Sequence, residues 1–256
     1  KLVVIDPRCS VEASKAYRWI PIRPGTELAF ALAMVHVILY EIKQFDAGFV
    51  KNRTNGPYLI GGDGLYYRDP KSGKPMMWDA SDHQAKVFSD EGIKDPALEG
   101  EYELEGERVR PAFSLIKEGM REYTPEWAQG ITTLPAEMIR TVSREFVEHA
   151  MIGATLEIDA FEFPLRPAQF GGSGRGSVNH KNGMLFDLTG KIINMLVGAV
   201  EVPGGLTGGM RPANPDSLRP DADGVVTPVL EAVGNPFTFP PECIDGAEFF
   251  PFKHTT

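Results

Sequence analysis

Two short apolar runs, each stopped by polar residues and proline, stand ahead of one long apolar helix, and this arrangement narrows the fold most. Val3-Val4-Ile5 is β-branched and reads as a buried strand. It stops at Asp6, and Pro7 has no N–H to give to a ladder, so the chain turns there. Ser10 to Arg18 reads as a short helix with Ser10 as its N-cap. Trp19 to Ile22 is the second strand, closed by Arg23-Pro24-Gly25. From Thr26 to Lys43, Leu28, Ala31, Leu32, Val35, Ile38, Leu39 and Ile42 recur at helical spacing. The opposite face of this helix is also apolar, which predicts cover on both sides. Thr26 is its expected cap, and Glu27 places a negative charge in the first turn, where the helix dipole favours one. In an open α/β sheet, ligands lie outside the carboxyl ends of the strands. The polar residues at those ends are Asp6, Arg8, Arg23 and Glu27.

The chain has 256 residues, enough for one large α/β domain or two small ones. A net charge of −9 argues against a nucleic-acid or anionic-membrane binder, because phosphate neutralisation needs clustered Lys and Arg. No apolar run reaches the length of a membrane span; Leu28 to Ile42 is short and carries His36 and Glu41. The chain opens on a strand without a start Met, so it reads as a piece of a longer protein, and its compartment is left open. Cys9 and Cys243 are too few and too far apart to build an iron–sulfur or Cys-rich zinc site.

Phe45–Asn52 reads as a second short helix. Residues 56–110 then change character. Turn signals at Gly61-Gly-Asp-Gly, Asp69-Pro-Lys-Ser-Gly-Lys-Pro and Glu105-Gly106 separate short strands at Leu65–Arg68, Met76–Trp78, Tyr102–Leu104 and Arg108–Arg110. This predicts an excursion of β-hairpins, with Asp79–Asp95 as exposed loop and Asp79 to Asp82 as a solvated turn. Helices are predicted at Pro111–Glu122, from Thr124 with Pro125 at the first helical position, and from Leu134 to Val147. Met151 to Ile158 reads as the next core strand, Phe163 to Gly176 as a Pro- and Gly-rich loop, and Asn182–Val200 as a helix ended by Pro203-Gly204-Gly205. Beyond that, Pro and Gly dominate and no periodicity survives.

The series Ile5-Asp-Pro-Arg, Trp19-Ile-Pro-Ile-Arg-Pro-Gly-Thr-Glu-Leu-Ala-Phe, Phe45-Asp-Ala-Gly-Phe-Val, Tyr123-Thr-Pro-Glu-Trp-Ala, Ile131-Thr-Thr-Leu-Pro-Ala-Glu-Met-Ile-Arg, and Ile193-Asn-Met-Leu-Val-Gly with Pro203-Gly-Gly resembles the molybdopterin oxidoreductases of the dimethyl sulfoxide reductase family. No single motif decides it; the ordered series carries the resemblance up to residue 205. The segments Tyr66–Trp78 and Tyr102–Arg110 resemble a subgroup that includes acetylene hydratase.

The resemblance implies a Rossmann-like parallel sheet flanked by helices over 1–205, with 56–110 as a β-hairpin insertion and 206–256 as an irregular tail. It implies that this domain holds the guanosine end of one of two molybdopterin guanine dinucleotides chelating molybdenum or tungsten. The parent reaction would be oxygen-atom or electron transfer, or hydration. A [4Fe–4S] cluster and the metal's protein ligand would lie upstream of Lys1 and a further domain downstream of Thr256. The implied partners are those missing domains and an iron–sulfur electron-transfer subunit. The piece alone is not expected to turn over.

Guanine shows N1–H and N2–H as adjacent donors, and a carboxylate accepts both in a charge-assisted pair. In the family the position after Pro-Gly-Thr is usually Asp; here it is Glu27. Its plainer reading is a residue that opens a helix. Asp6 at a strand end suits ribose hydroxyls and Arg8 a phosphate or the base, with Pro7 between them also in the cofactor-binding set; Arg23, Pro24 and Gly25 would wall the base, with Gly25 permitting close backbone approach. The plainer reading of Asp6 and Arg8 is a surface pair at a strand end. Gly171-Gly-Ser-Gly-Arg-Gly has the wrong spacing for a dinucleotide fingerprint and follows Pro164 and Pro167, so it reads as loop. By resemblance Arg175, His180 and Asn182 border the active-site funnel; Asn182 reads equally as a helix cap. His36, His83, His149 and His254 stand singly, with core or surface roles as the default. Two other functions compete. A nicotinamide-dependent dehydrogenase requires a Gly-rich turn where Ile5-Asp-Pro-Arg stands, and a non-catalytic scaffold draws its only support from the Glu27 departure.

Overall fold

The computed structural model describes residues 1–172 and 176–206. Among these the chain forms two compact units, residues 1–49 with 116–206, and residues 50–115.

The first unit begins with β1 (Val3–Ile5), α1 (Val11–Lys15) and β2 (Arg18–Ile20). The strands pair in parallel, Val4 opposite Trp19, and the Ser10 side chain accepts the Ala13 N–H as the expected cap. The main chain then forms α2 (Glu27–His36), which continues as a π-helical segment, Val37–Ile42, and ends at Lys43 in a left-handed conformation, φ 58°. Thr26 does not cap α2 through its side chain. Its hydroxyl donates instead to the Arg23 carbonyl at 2.6 Å, tying the loop to itself. Cover on both sides is borne out. Phe30, Ala31, Met34, Val35 and Ile38 are all at most 1% exposed, because α2 packs against α5 (Pro125–Thr132), α6 (Ala136–His149) and α7 (Gly183–Leu196). Burying each large apolar side chain contributes about 1.5–3 kcal/mol, so this helix stabilises the unit through several such side chains. Thr124 caps α5 through its Oγ1, 3.2 Å from the Trp127 N–H, with Pro125 at the first helical position as the sequence predicts. His36, also buried, donates from Nδ1 to the Met120 carbonyl at 2.9 Å, a satisfied core histidine.

Met151 to Ile158 is not a core strand. Only Thr155–Ile158 is extended (β8), and it pairs antiparallel with β9 (Phe161–Pro164) in a hairpin whose residues are all exposed. The β-propensity was read correctly, but burial depends on neighbours the run itself does not supply. The following loop is anchored instead by Arg166. It is 6% exposed and donates from Nε and Nη2 to Asp46 Oδ2, at 3.1 and 2.8 Å, and from Nη1 to the Ala154 and Leu165 carbonyls.

In the second unit, which α3 (Ala47–Arg53) enters and α4 (Ala112–Gly119) leaves, the expected hairpins form two small antiparallel sheets. β3 (Leu59–Ile60), β7 (Glu107–Pro111) and β6 (Tyr102–Leu104) make one; β4 (Met76–Asp79) and β5 (Gln84–Val87) the other. Leu65–Arg68 contributes only isolated bridges, at Tyr66 and Arg68. Asp79–Asp95 is not simply exposed loop, since it contains β5. Asp79 is fully buried rather than solvated, because its carboxylate is where the turn's donors converge. It takes the Lys86 ammonium at 2.7 Å and the N–H groups of Ser81, Lys94 and Asp95 at 3.0, 3.0 and 3.1 Å. The Lys86 charge holds the Asp79 carboxyl far below the usual carboxylate range; burial opposes this, and the N–H groups of Ser81 and Lys94 assist.

The architecture is therefore mixed α/β. Among the described residues the one parallel pairing of strands is β1–β2, and the other three sheets are antiparallel. No single helix among them is long and apolar enough to cross a membrane. Residues 207–256, with Cys243, His254 and nearly all of the expected tail, lie outside the described residues.

Candidate functional site

A cleft of about 460 Å³ opens within the first unit, at the carboxyl end of β1 and the N-terminus of α2. Ligand pockets commonly start near 300 Å³, so a nucleoside-sized molecule is in range. Ile5, Asp6 and Pro7 line it from the strand end, Pro24, Gly25 and Glu27 from the loop into α2, and Phe30 and Met34 from the helix itself. Val142, Glu145, Phe146 and His149 of α6 form another wall, and Phe170, Gly171, Gly172, Ser177 and Phe186 complete it.

The structure brings together five of the seven residues expected to hold a nucleotide: Asp6, Pro7, Pro24, Gly25 and Glu27. Arg8 and Arg23 do not line the cleft; both are exposed. Asp6 shapes the strand end. Its Oδ1 accepts the Arg8 N–H at 2.7 Å, its own N–H donates to the Ile20 carbonyl at 3.1 Å, and its carbonyl accepts from Trp19 Nε1 at 2.8 Å. Gly25 has φ 77°, a backbone that side chains rarely adopt, and open space where a Cβ would stand.

Glu27 lies at the first position of α2 with its side chain 14% exposed. Oε1 accepts the Gly25 N–H at 3.3 Å, so the side chain folds back over its own turn. Oε2 is buried without a hydrogen-bond partner, and 3.8 Å away stands His180 Nε2, also buried and without one. His180 Nδ1 accepts the Asn182 N–H at 3.2 Å. Asn182 precedes α7 but its side chain makes no capping bond, so the cap reading of that side chain does not hold. Arg175 lies outside the described residues.

Sequence reasoning missed the α6 wall. His149, read as standing singly, donates from Nδ1 to the Glu145 carbonyl at 2.8 Å, and Glu145 pairs with Arg18 at 2.8 Å. The signal was present: Val142, Glu145, Phe146 and His149 fall at i, i+3, i+4 and i+7, one helical stripe. It mixes polar with apolar residues, as a cleft wall does.

Chemically, the cleft offers an aromatic and apolar lining with one carboxylate short of donors. That combination suits a planar ligand presenting N–H groups at its edge. Among the described residues no group of three or more His, Cys, Asp or Glu side chains is gathered to hold a metal ion.

No family model matches the chain. Individual proteins do. It is 29% identical to a sulfite dehydrogenase subunit of Allochromatium vinosum, over 94% of this chain and 27% of that protein. It is 35% identical to the perchlorate reductase alpha subunit of Dechloromonas aromatica, over 57% of this chain and 20% of that one. It is 28% identical to the molybdopterin-containing subunit of the arsenate respiratory reductase of a Shewanella species, over 80% and 18%. The chain thus spans about a quarter or less of the length of these relatives. Acetylene hydratase from Pelobacter acetylenicus is a structural neighbour at 22% identity and TM-score 0.46, covering 77% of this chain and 17% of that one. Over 57–94% of its length the chain is thus similar to subunits of the kind that its ordered sequence series resembles, the molybdopterin oxidoreductases of the dimethyl sulfoxide reductase family.

Proposed function

We propose that this chain binds the guanosine end of one molybdopterin guanine dinucleotide within a molybdenum or tungsten oxidoreductase. The observation that carries the proposal is Glu27 Oε2, a buried carboxylate oxygen with no hydrogen-bond partner, on a residue that lines an aromatic-walled cleft. A buried acceptor left unpaired costs about 1–3 kcal/mol, a cost that a ligand's donors remove. Guanine's N1–H and N2–H are such donors, and Phe30, Phe146, Phe170 and Phe186 supply the apolar walls a base requires. Gly25, without a Cβ, lets the backbone approach the base, and Asp6 stands where a ribose would follow.

On this reading residues 1–205 form one dinucleotide-binding domain, with 56–110 as its hairpin insertion. The β1–α1–β2 unit is its share of a Rossmann-like parallel sheet. When bound, the metal–dithiolene end of the cofactor supplies oxygen-atom or electron transfer, or hydration. The residues of this chain bind and orient the nucleotide end and keep water from it. The protein ligand of the metal, an iron–sulfur cluster and an electron-transfer partner belong to other parts of such an enzyme.

The test is a calorimetric titration of the purified chain with GMP, AMP and NADH. GMP is expected to bind in preference to the other two, and Glu27→Ala to weaken GMP by about 2–5 kcal/mol, the cost of truncating one partner of a buried charged hydrogen bond. Equal binding of all three nucleotides, or an unchanged GMP affinity in the variant, rejects the assignment.

A further inference from the structure

We infer that His180 is a positioning residue for the nucleotide site, holding the Glu27 carboxylate in the orientation that meets the base. This role rests on the guanine reading of Glu27 and extends it to a residue that does not itself line the cleft.

A glutamate has three side-chain torsions, and recognition at a base edge requires all of them fixed. Gly25 fixes one oxygen by donating its N–H to Oε1 at 3.3 Å. The other oxygen has one candidate holder among the described residues, His180 Nε2, 3.8 Å away. The tautomer follows from the second ring nitrogen. Nδ1 accepts the Asn182 N–H, so a neutral ring carries its proton on Nε2, the nitrogen that faces Glu27. A donor and an acceptor, each buried and each otherwise unpartnered, therefore confront each other across a gap slightly too long for a hydrogen bond. Functional hydrogen bonds in unliganded sites are often long and tighten when the ligand seats.

The ring is presented rigidly. Gly183 follows the His180 turn, and its N–H donates to the His180 carbonyl at 2.9 Å. A Cβ on Gly183 would overlap the Val178 carbonyl, so only glycine permits this turn. Once seated, a base donates to the same carboxylate that His180 steadies, and both lone-pair sets are used. A side chain that touches only the recognising carboxylate or imidazole can orient it without touching the ligand.

The test combines ring NMR of the unliganded chain with GMP titrations. In 15N-labelled protein, His180 is expected as the Nε2–H tautomer, and Glu27→Ala is expected to shift its Nε2 resonance. His180→Phe, which has no donor, should weaken GMP about tenfold, the scale of one hydrogen bond to a charged group. His180→Gln, which keeps an N–H, should recover affinity to within about threefold of the parent. In a Glu27→Ala background, His180→Phe should cause no further loss, because a positioning residue has nothing left to position. A proton on Nδ1, GMP affinity unchanged in His180→Phe, no recovery in His180→Gln, or additive losses in the double variant would each overturn the role while leaving Glu27 as the guanine contact. Failure of the unaltered chain to bind GMP overturns the guanine reading, and this role falls with it.

Discussion

Two carboxylates, one in each unit and each with a buried oxygen, are treated in opposite ways. Asp79 in the second unit accepts four hydrogen bonds, from one ammonium and three backbone N–H groups, and is fully buried. Glu27 in the first unit accepts one bond at 3.3 Å, and its second oxygen has none. A saturated carboxylate organises its own loop and has no capacity left for a ligand. An undersatisfied one is a cost the fold carries, and such costs concentrate where binding relieves them. On the proposed reading, the contrast separates an acid that builds the fold from one that awaits a ligand, without appeal to sequence position.

The contrast breaks if donors around a saturated carboxylate prove dispensable. Asp46 in the first unit provides the sharpest case, because it resembles Asp79. Its Oδ2 takes two Arg166 nitrogens and its Oδ1 takes the Phe49 N–H at 2.9 Å. Arg166→Ala leaves this largely shielded carboxylate without its guanidinium, strips the Leu165 carbonyl of its donor and leaves the Ala154 carbonyl with the Leu165 N–H alone. The expected loss is about 3–5 kcal/mol in urea unfolding, the largest effect anticipated here. A change under about 1 kcal/mol would mean the pair is solvated and surface-like.

Asp79 tests the same idea through pH. The folded carboxyl titrates well below its unfolded value, chiefly through Lys86, so its contribution is present above the unfolded pKa of about 3.9 and drains away as pH falls toward the folded value. Asp79→Asn is expected to lower the unfolding midpoint at pH 7 and to shrink the gap between pH 7 and pH 3. Emission from Trp78, stacked on Tyr102 at 4.2 Å within the same unit, is a convenient signal. An acid-induced loss of equal size in both proteins would place the titrating group elsewhere.

How far the sequence disclosed these features depends on the range of the interactions. Caps made within three residues were legible in two of three cases: Ser10 and Thr124 cap the helices they were expected to cap, whereas Thr26 does not. The all-round apolar character of α2 foretold its cover. Five of the residues singled out at the mouth of β1 and β2 line one cleft, because strand ends and the loop into a helix are local facts. Asp79 was misread as solvated because three of its donors, on Lys86, Lys94 and Asp95, are brought to it by the β4–β5 pairing and the loop beyond. The β8 run was misread as core because nothing in its residues reports what covers them. The approach of His180 to Glu27 spans most of the unit's sequence, and no local pattern encodes it.

The smallest stability effect belongs to the site itself, and there the two carboxylates should part most clearly. Glu27→Met keeps nearly the same shape while removing an acceptor that has little to accept. Replacing an under-compensated buried charge with an apolar isostere is commonly neutral or stabilising, so stability is expected to stay level or rise by about 1 kcal/mol. GMP binding is expected to disappear at the same time, since among the described residues no other buried side-chain oxygen left without a partner lines the cleft. Urea unfolding and nucleotide titration of one variant read both quantities. A clear loss of stability would show that Glu27 is held as firmly as Asp79, and the distinction between a carboxylate that builds the fold and one that awaits a ligand would no longer apply to this pair.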